Sequence, residues 1–134
     1  MNSLGDRVAI FLHAGEYDRV HQGLSIAAAA SSSGRNVDVF FFWGALRRLA
    51  DNQLETPDFK DEELNDRFER RGIPTANALL RSAAETGRLR TYACSGSLQA
   101  LGLNPQDVAQ RVDQVIGWTS ILQITRGVVD RFYL

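Results

Sequence analysis

Apolar residues in this chain come in short runs separated by amphipathic stretches, and the two kinds of segment alternate along its length. Residues 7–13 (RVAIFLH) and 36–42 (NVDVFFF) are nearly continuous in strand formers, the pattern of parallel strands covered on both faces. Between them, residues 17–33 place Val20, Leu24, Ala27, Ala28 and Ser31 on one helical stripe, and Gly34 follows as a C′ residue would. A β-α-β order predicts a parallel pair joined by a right-handed crossover. The run 27–33 holds small residues alone, so a sheet surface or a second subunit is expected to pack very closely there.

The second half continues the alternation. Trp43-Gly44 follows the second strand, and residues 45–50 predict a short helix. Residues 51–73 mix Asp and Glu with Arg and Lys, and read as a solvated loop or surface helix with one helical turn around 62–70. Pro74 is placed to open a helix running to about Thr86, with Ala76, Leu79, Leu80 and Ala83 as its stripe and Gly87 as its end. Residues 89–93 predict a buried central strand and 95–101 a helix. Asn104 as N-cap with Pro105 at N1 predicts a short amphipathic helix through Val108 and Val112. A fourth strand over 113–116, a helix over 118–126 ended by Gly127, and a last strand over 128–134 complete the chain. The whole predicts an α/β fold with an open, mostly parallel sheet of about five strands, in one domain spanning 1–134.

Composition narrows the function classes. With 44% apolar and 23% charged residues the chain reads as an ordinary globular protein, and 134 residues are enough for a hydrophobic core. A net charge of −1 supplies no broad field for nucleic acid or an anionic membrane. The longest apolar run, residues 39–43, is far short of the roughly 20 residues a membrane span takes. The opening MNSLGDRVAIFLHAG has no basic segment followed by a long apolar one, so no signal peptide is expected. A single cysteine rules out an internal disulfide framework and fits a reducing compartment; the expected location is cytoplasmic.

That cysteine, Cys94, is predicted at the carboxyl end of a strand just before a helix begins. The unpaired N–H groups of a first helical turn favour a thiolate over a thiol, and Ser95, Gly96 and Ser97 are small enough to leave the approach to sulfur open. The plain alternative is a small buried hydrophobe without chemistry. Sites in open α/β sheets form beyond the carboxyl ends of the strands, and that edge is predicted to gather His13, Ala14, Gly15, Trp43, Gly44, Cys94 and Ser95. His13 is the best placed residue to assist Cys94, although a strand-end histidine bonded to a backbone carbonyl is the simpler and preferred reading. His21, inside the first helix, reads first as a helix-surface or subunit-contact residue. Two histidines and one cysteine, widely separated, match no zinc spacing, and neither GxGxxG nor GxxxxGK[ST] occurs; no metal and no cofactor are expected. A CxxC redox pair is absent as well, but one nucleophilic thiol is enough to carry sulfur as a persulfide.

The ordered set of segments resembles the DsrE/DsrF-like family, which includes DsrE, TusD and YchN-type proteins. RVAIFLHAGEYDRVHQGLSIAAAA, VDVFFFWGALRRLA, TYACSGSLQALGL and VDQVIGWTSILQITRGVVDRFYL carry the resemblance, which covers nearly the whole chain. It implies a three-layer α/β/α sandwich, assembly as homotrimers, homohexamers or related hetero-oligomers, and, for the sulfur-trafficking members, a persulfide on a cysteine just after a strand. Cys94 matches that position; His13, Gly15, Trp43 and Ser95 remain candidates for lining the site only, since no family motif specifies them. Two functions follow as expectations. One is a persulfide carrier that uses Cys94, a relay with sulfur donor and acceptor proteins rather than a multi-turnover enzyme. The other is a non-enzymatic ligand-binding or assembly module in which Cys94 is unreactive. The charged insert 51–73 is where this chain is expected to differ, by covering or opening the site.

Overall fold

A computed structural model describes residues 6–58 and 61–134. Residues 1–5, the start of the opening stretch in which no signal peptide is expected, and residues 59–60 of the charged insert lie outside the described part. Five strands, β1 (Val8–Leu12), β2 (Val37–Phe41), β3 (Leu89–Cys94), β4 (Gln114–Ile116) and β5 (Asp130–Tyr133), form one sheet in the order β4-β3-β2-β1-β5. Every pairing is parallel. The helices are α1 (Tyr17–Ser32), α2 (Trp43–Ala50), α3 (Leu64–Arg71), α4 (Ala76–Glu85), α5 (Ser95–Ala100) and α6 (Trp118–Ile124).

Chain direction explains the layers. The steps β1→β2→β3→β4 all move the same way across the sheet, so right-handed crossovers put their helices on one face. The return from β4 to β5 crosses back past three strands, which puts α6 on the other face. Alternation along the strands divides the core accordingly. Val8, Ile10 and Leu12 of β1 join Val37, Val39 and Phe41 of β2 against residues of α1, α2, α4 and α5. Ala9 and Phe11 join Phe40, Tyr92 and Cys94 against Ile121 and Ile124 of α6. The first cluster is broad and the second thin, because a seven-residue helix covers it. The result is the three-layer α/β/α sandwich. Burying each large side chain of these clusters is worth about 1.5–3 kcal/mol, so most of the fold's stability lies on the helical face.

Particular elements differ from the sequence pattern. β2, not β3, is the middle strand; β3 lies between β2 and β4. Pro74 precedes the helix it was placed to open: Thr75 is the N-cap of α4, its Oγ1 accepting from Ala78 N at 3.2 Å. Asn104 and Asp107 form a capping box, but it starts only a three-residue 3-10 turn (Pro105–Asp107), and of Val108 and Val112 only Val108 is fully buried. α1 packs against α4 and the sheet, and of its small-residue end Ala27 and Ser31 are buried while Ala29, Ser32 and Ser33 are exposed.

Candidate functional site

The register brings four chain segments level at the carboxyl edge. Leu12 pairs with Phe41, Phe41 with Ala93, and Ala93 with Val115. The next rung is therefore His13, Phe42, Cys94 and Ile116. Of these, Phe42, Cys94 and Ile116 pack in the thin cluster under α6.

Cys94 ends β3 and is the N-cap residue of α5, with φ −75° and ψ 121°. The open approach expected from Ser95, Gly96 and Ser97 is not what the fold produces, since Cys94 is only 4% exposed and Ser97 is buried as well. The cause is strand alternation: residue 94 points to the same face as Tyr92, the face that α6 covers. The cover is shallow. Gly96 is exposed, and a Cβ placed on it would lie 3.8 Å from the Cys94 sulfur. The sulfur thus sits just beneath a surface residue that has no side chain.

The other predicted site residues fall around this rung, and not all of them reach the sulfur. His13 is half-buried, and its imidazole is stacked on Phe42 with centroids 4.4 Å apart. Phe42 stands between His13 and Cys94, whose strands are separated by β2 and hence by about 10 Å, two strand spacings. Burial lowers the His13 pKa from its ordinary value, and a hydrogen bond to the Phe11 backbone works against that shift. Gly15 meets Gly44: a Cβ on Gly44 would lie 2.6 Å from the Gly15 nitrogen, so the turns after β1 and β2 approach backbone to backbone. Trp43 starts α2 with φ 41°, a left-handed conformation uncommon outside glycine, and it is 52% exposed. Ser95 lies on the β4 side, its Oγ 3.3 Å from where a Gly117 Cβ would be.

Three residues of the edge were not singled out from the sequence. Phe42 is the partition just described. Trp118 opens α6, stacks on Phe42 at 5.1 Å and on Phe11 at 6.3 Å, and is 47% exposed. Gly117 is its N-cap and faces Ser95. A signal for them was present: a glycine beside a tryptophan follows a strand twice, as Trp43-Gly44 and as Gly117-Trp118.

The charged insert lies elsewhere. Arg48 donates to the carbonyl oxygens of Gly15, Gln53 (2.9 Å) and Thr56 (2.6 Å) and to Asp58 Oδ1 (2.7 Å). Leu54 is buried in the helical-face cluster, and Phe68 of α3 packs on His21 and Tyr17. His21 Nε2 donates to Pro74 O at 2.9 Å. The insert therefore packs beside the Gly15 turn on the helical face, while Cys94 belongs to the other face. Among the described residues, no group of three or more His, Cys, Asp or Glu side chains could hold a metal ion. No helix among them is long and apolar enough to cross a membrane.

Residues 6–126 match the family described as DsrE/DsrF-like. A comparison with curated proteins returned no match.

Proposed function

The chain belongs to the DsrE/DsrF-like family, and on that premise we propose that it is a persulfide carrier with Cys94 as the sulfur-accepting thiol. Membership points to sulfur-relay-related function in the broad sense; the carrier step is the finer reading. It is supported by the only cysteine of the chain ending a strand, with its sulfur directly beneath exposed Gly96. The chemistry needs nothing else from the protein. The Cys94 thiolate attacks the outer sulfur of a donor persulfide, a new S–S bond forms, and the donor leaves as a thiolate. An acceptor thiolate then attacks the outer sulfur and releases Cys94 as a thiolate. One sulfur atom moves and there is no net oxidation. In this proposal Ser95 adjoins the sulfur, while His13, Gly15 and Trp43 lie farther along the same carboxyl edge, and none of them acts on it.

Donor and acceptor proteins are part of the proposal, and so is a homotrimer or homohexamer. Trp118 and Tyr133, both stacked on Phe11, are 47% and 61% exposed, as is suited to a covered apolar face. Sedimentation showing only monomer at micromolar concentration would remove the assembly from the account. The alternative, a ligand-binding or assembly module with an inert Cys94, is favoured by one observation, the burial of that side chain in an apolar cluster. Cyanolysis separates the two. After incubation with a small-molecule persulfide and desalting, the carrier releases about one thiocyanate per chain and the Cys94→Ser variant none. Equal release from both, or release from neither, overturns the carrier.

A further inference from the structure

A second concentration of chemistry lies at the amino edge of the sheet, on the α6 face but at the opposite ends of the strands from Cys94. Arg7 precedes β1, Asp38 lies on β2, and Arg88 and Arg90 lie at the start of β3. Between them opens a cleft of about 510 Å³, walled on its far side by Gln123 and Ile124 of α6. Asp38 is a strand carboxylate only 6% exposed, and it accepts from Arg7 Nη2 at 2.5 Å. One positive charge is thereby matched. Arg88 and Arg90 are exposed, and among the described residues no carboxylate lies within ion-pair distance of either.

A further carboxylate and the end of α6 lie close by. Asp113, in the hollow that adjoins Arg90 and Tyr92, accepts from Thr91 N at 2.8 Å. The carbonyl of Thr125, the last cap of α6, accepts from Arg131 Nη2 at 2.8 Å. Arg90 and Tyr92 both line the cleft on the β3 side. Three guanidinium groups against Asp38 and the adjoining Asp113 leave a surplus of one positive charge, which favours an anion.

We propose that this cleft binds a phosphorylated small molecule, with Arg88 and Arg90 engaging the phosphate and Arg7, held by Asp38, flanking it. Guanidinium forks match the oxygens of a phosphate, each hydrogen bond being assisted by charge. The volume lies within the range of small-molecule sites and exceeds what a bare oxyanion fills. Asn36 and Gln123 at the rim offer neutral amides to the organic part. Arg90 and Cys94 are four residues apart along β3, about 13 Å, so the site is separate from the proposed sulfur chemistry.

The test is a titration at constant ionic strength with adenosine 5′-monophosphate as the phosphomonoester probe and inorganic phosphate beside it, followed by amide NMR. The monoester is expected to shift the amides of residues 88–90 and to bind more tightly than phosphate. Arg88→Gln with Arg90→Gln should weaken binding by about tenfold or more, from the loss of charge-assisted hydrogen bonds. Both residues are exposed, so the variant should keep its fold, and its thermal transition checks that. Arg19→Gln, an exposed arginine on α1 away from the cleft, should leave binding unchanged. No shift with either anion, or equal weakening by Arg19→Gln, overturns the site. Phosphate binding as tightly as the monoester overturns the assignment of a phosphorylated organic ligand.

Discussion

The His13 imidazole lies flat on the Phe42 ring, centroids 4.4 Å apart and planes 5° apart, and Phe42 separates it from Cys94. A histidine so placed is a packing group. Because burial lowers its pKa below the ordinary 6.5, the folded state favours the neutral ring. The unfolded chain then takes up the proton first as pH falls, so the contribution of His13 to stability is present above about pH 6.5 and lost as pH drops through the folded value. Urea denaturation at pH 7.5 and pH 5.5 should show wild type losing more stability on acidification than His13→Gln. The same variant should load sulfur on Cys94 at close to the wild-type rate. A loss of about 10²-fold, the range of a general base, would put His13 in the chemistry instead.

Gly44→Ala should destabilise the fold by about 1–3 kcal/mol, the usual cost of overpacking. Its Cβ would lie 2.6 Å from the Gly15 nitrogen and 2.8 Å from the Gly15 Cα, and backbone cannot swing aside as a side chain can. Chemical denaturation measures it. A change below about 0.5 kcal/mol, the size of an ordinary surface substitution, would mean the two turns are not held together.

Gly96→Ala separates stability from access. Gly96 lies in α5 and is exposed, and the added Cβ would make only an ordinary contact, 3.8 Å from the Cys94 sulfur. Alanine in the first turn of a helix should stabilise slightly, by less than the roughly 1 kcal/mol seen in a helix interior. It should also slow alkylation and sulfur loading of Cys94, because it roofs the shallow side. Unchanged rates would place the approach to sulfur elsewhere.

Arg48 ties the insert to the fold. Its side chain, 14% exposed, holds the Gln53, Thr56 and Asp58 acceptors and lies 5.7 Å from the centre of the Tyr17 ring. Arg48→Gln should cost about 2 kcal/mol or more, as expected for several charge-assisted bonds lost together, and hydrogen exchange in residues 53–58 should accelerate. Protection unchanged in that segment would contradict the clamp.

How much of this was legible in the chain follows from what each segment buries. β1 and β2 are buried at all ten positions, and their runs of strand formers, interrupted only by Asp38, identify them directly. α3 reads from the sequence as one turn in a solvated stretch because it buries no residue fully; it is held by Phe68 packing on His21 and by the Arg67–Asp61 pair, contacts made through the fold. The position of Cys94 at a strand end could be read from the change of period at Ser95. Its burial could not, because that depends on α6 returning across the other face from more than twenty residues away. The amino-edge arginines were invisible for the same reason: Arg7, Asp38 and Arg90 are far apart in sequence and meet only through the register of three strands.

Intact-protein mass spectrometry after incubation with a low-molecular-weight persulfide tests the central claim most directly. The carrier should gain about 32 Da, one sulfur atom, with the added mass mapping to Cys94 and lost on reduction. The Cys94→Ser variant should gain nothing. A wild-type protein that stays at its starting mass, or a variant that gains the same increment, would contradict the assignment of Cys94 as the sulfur-accepting thiol.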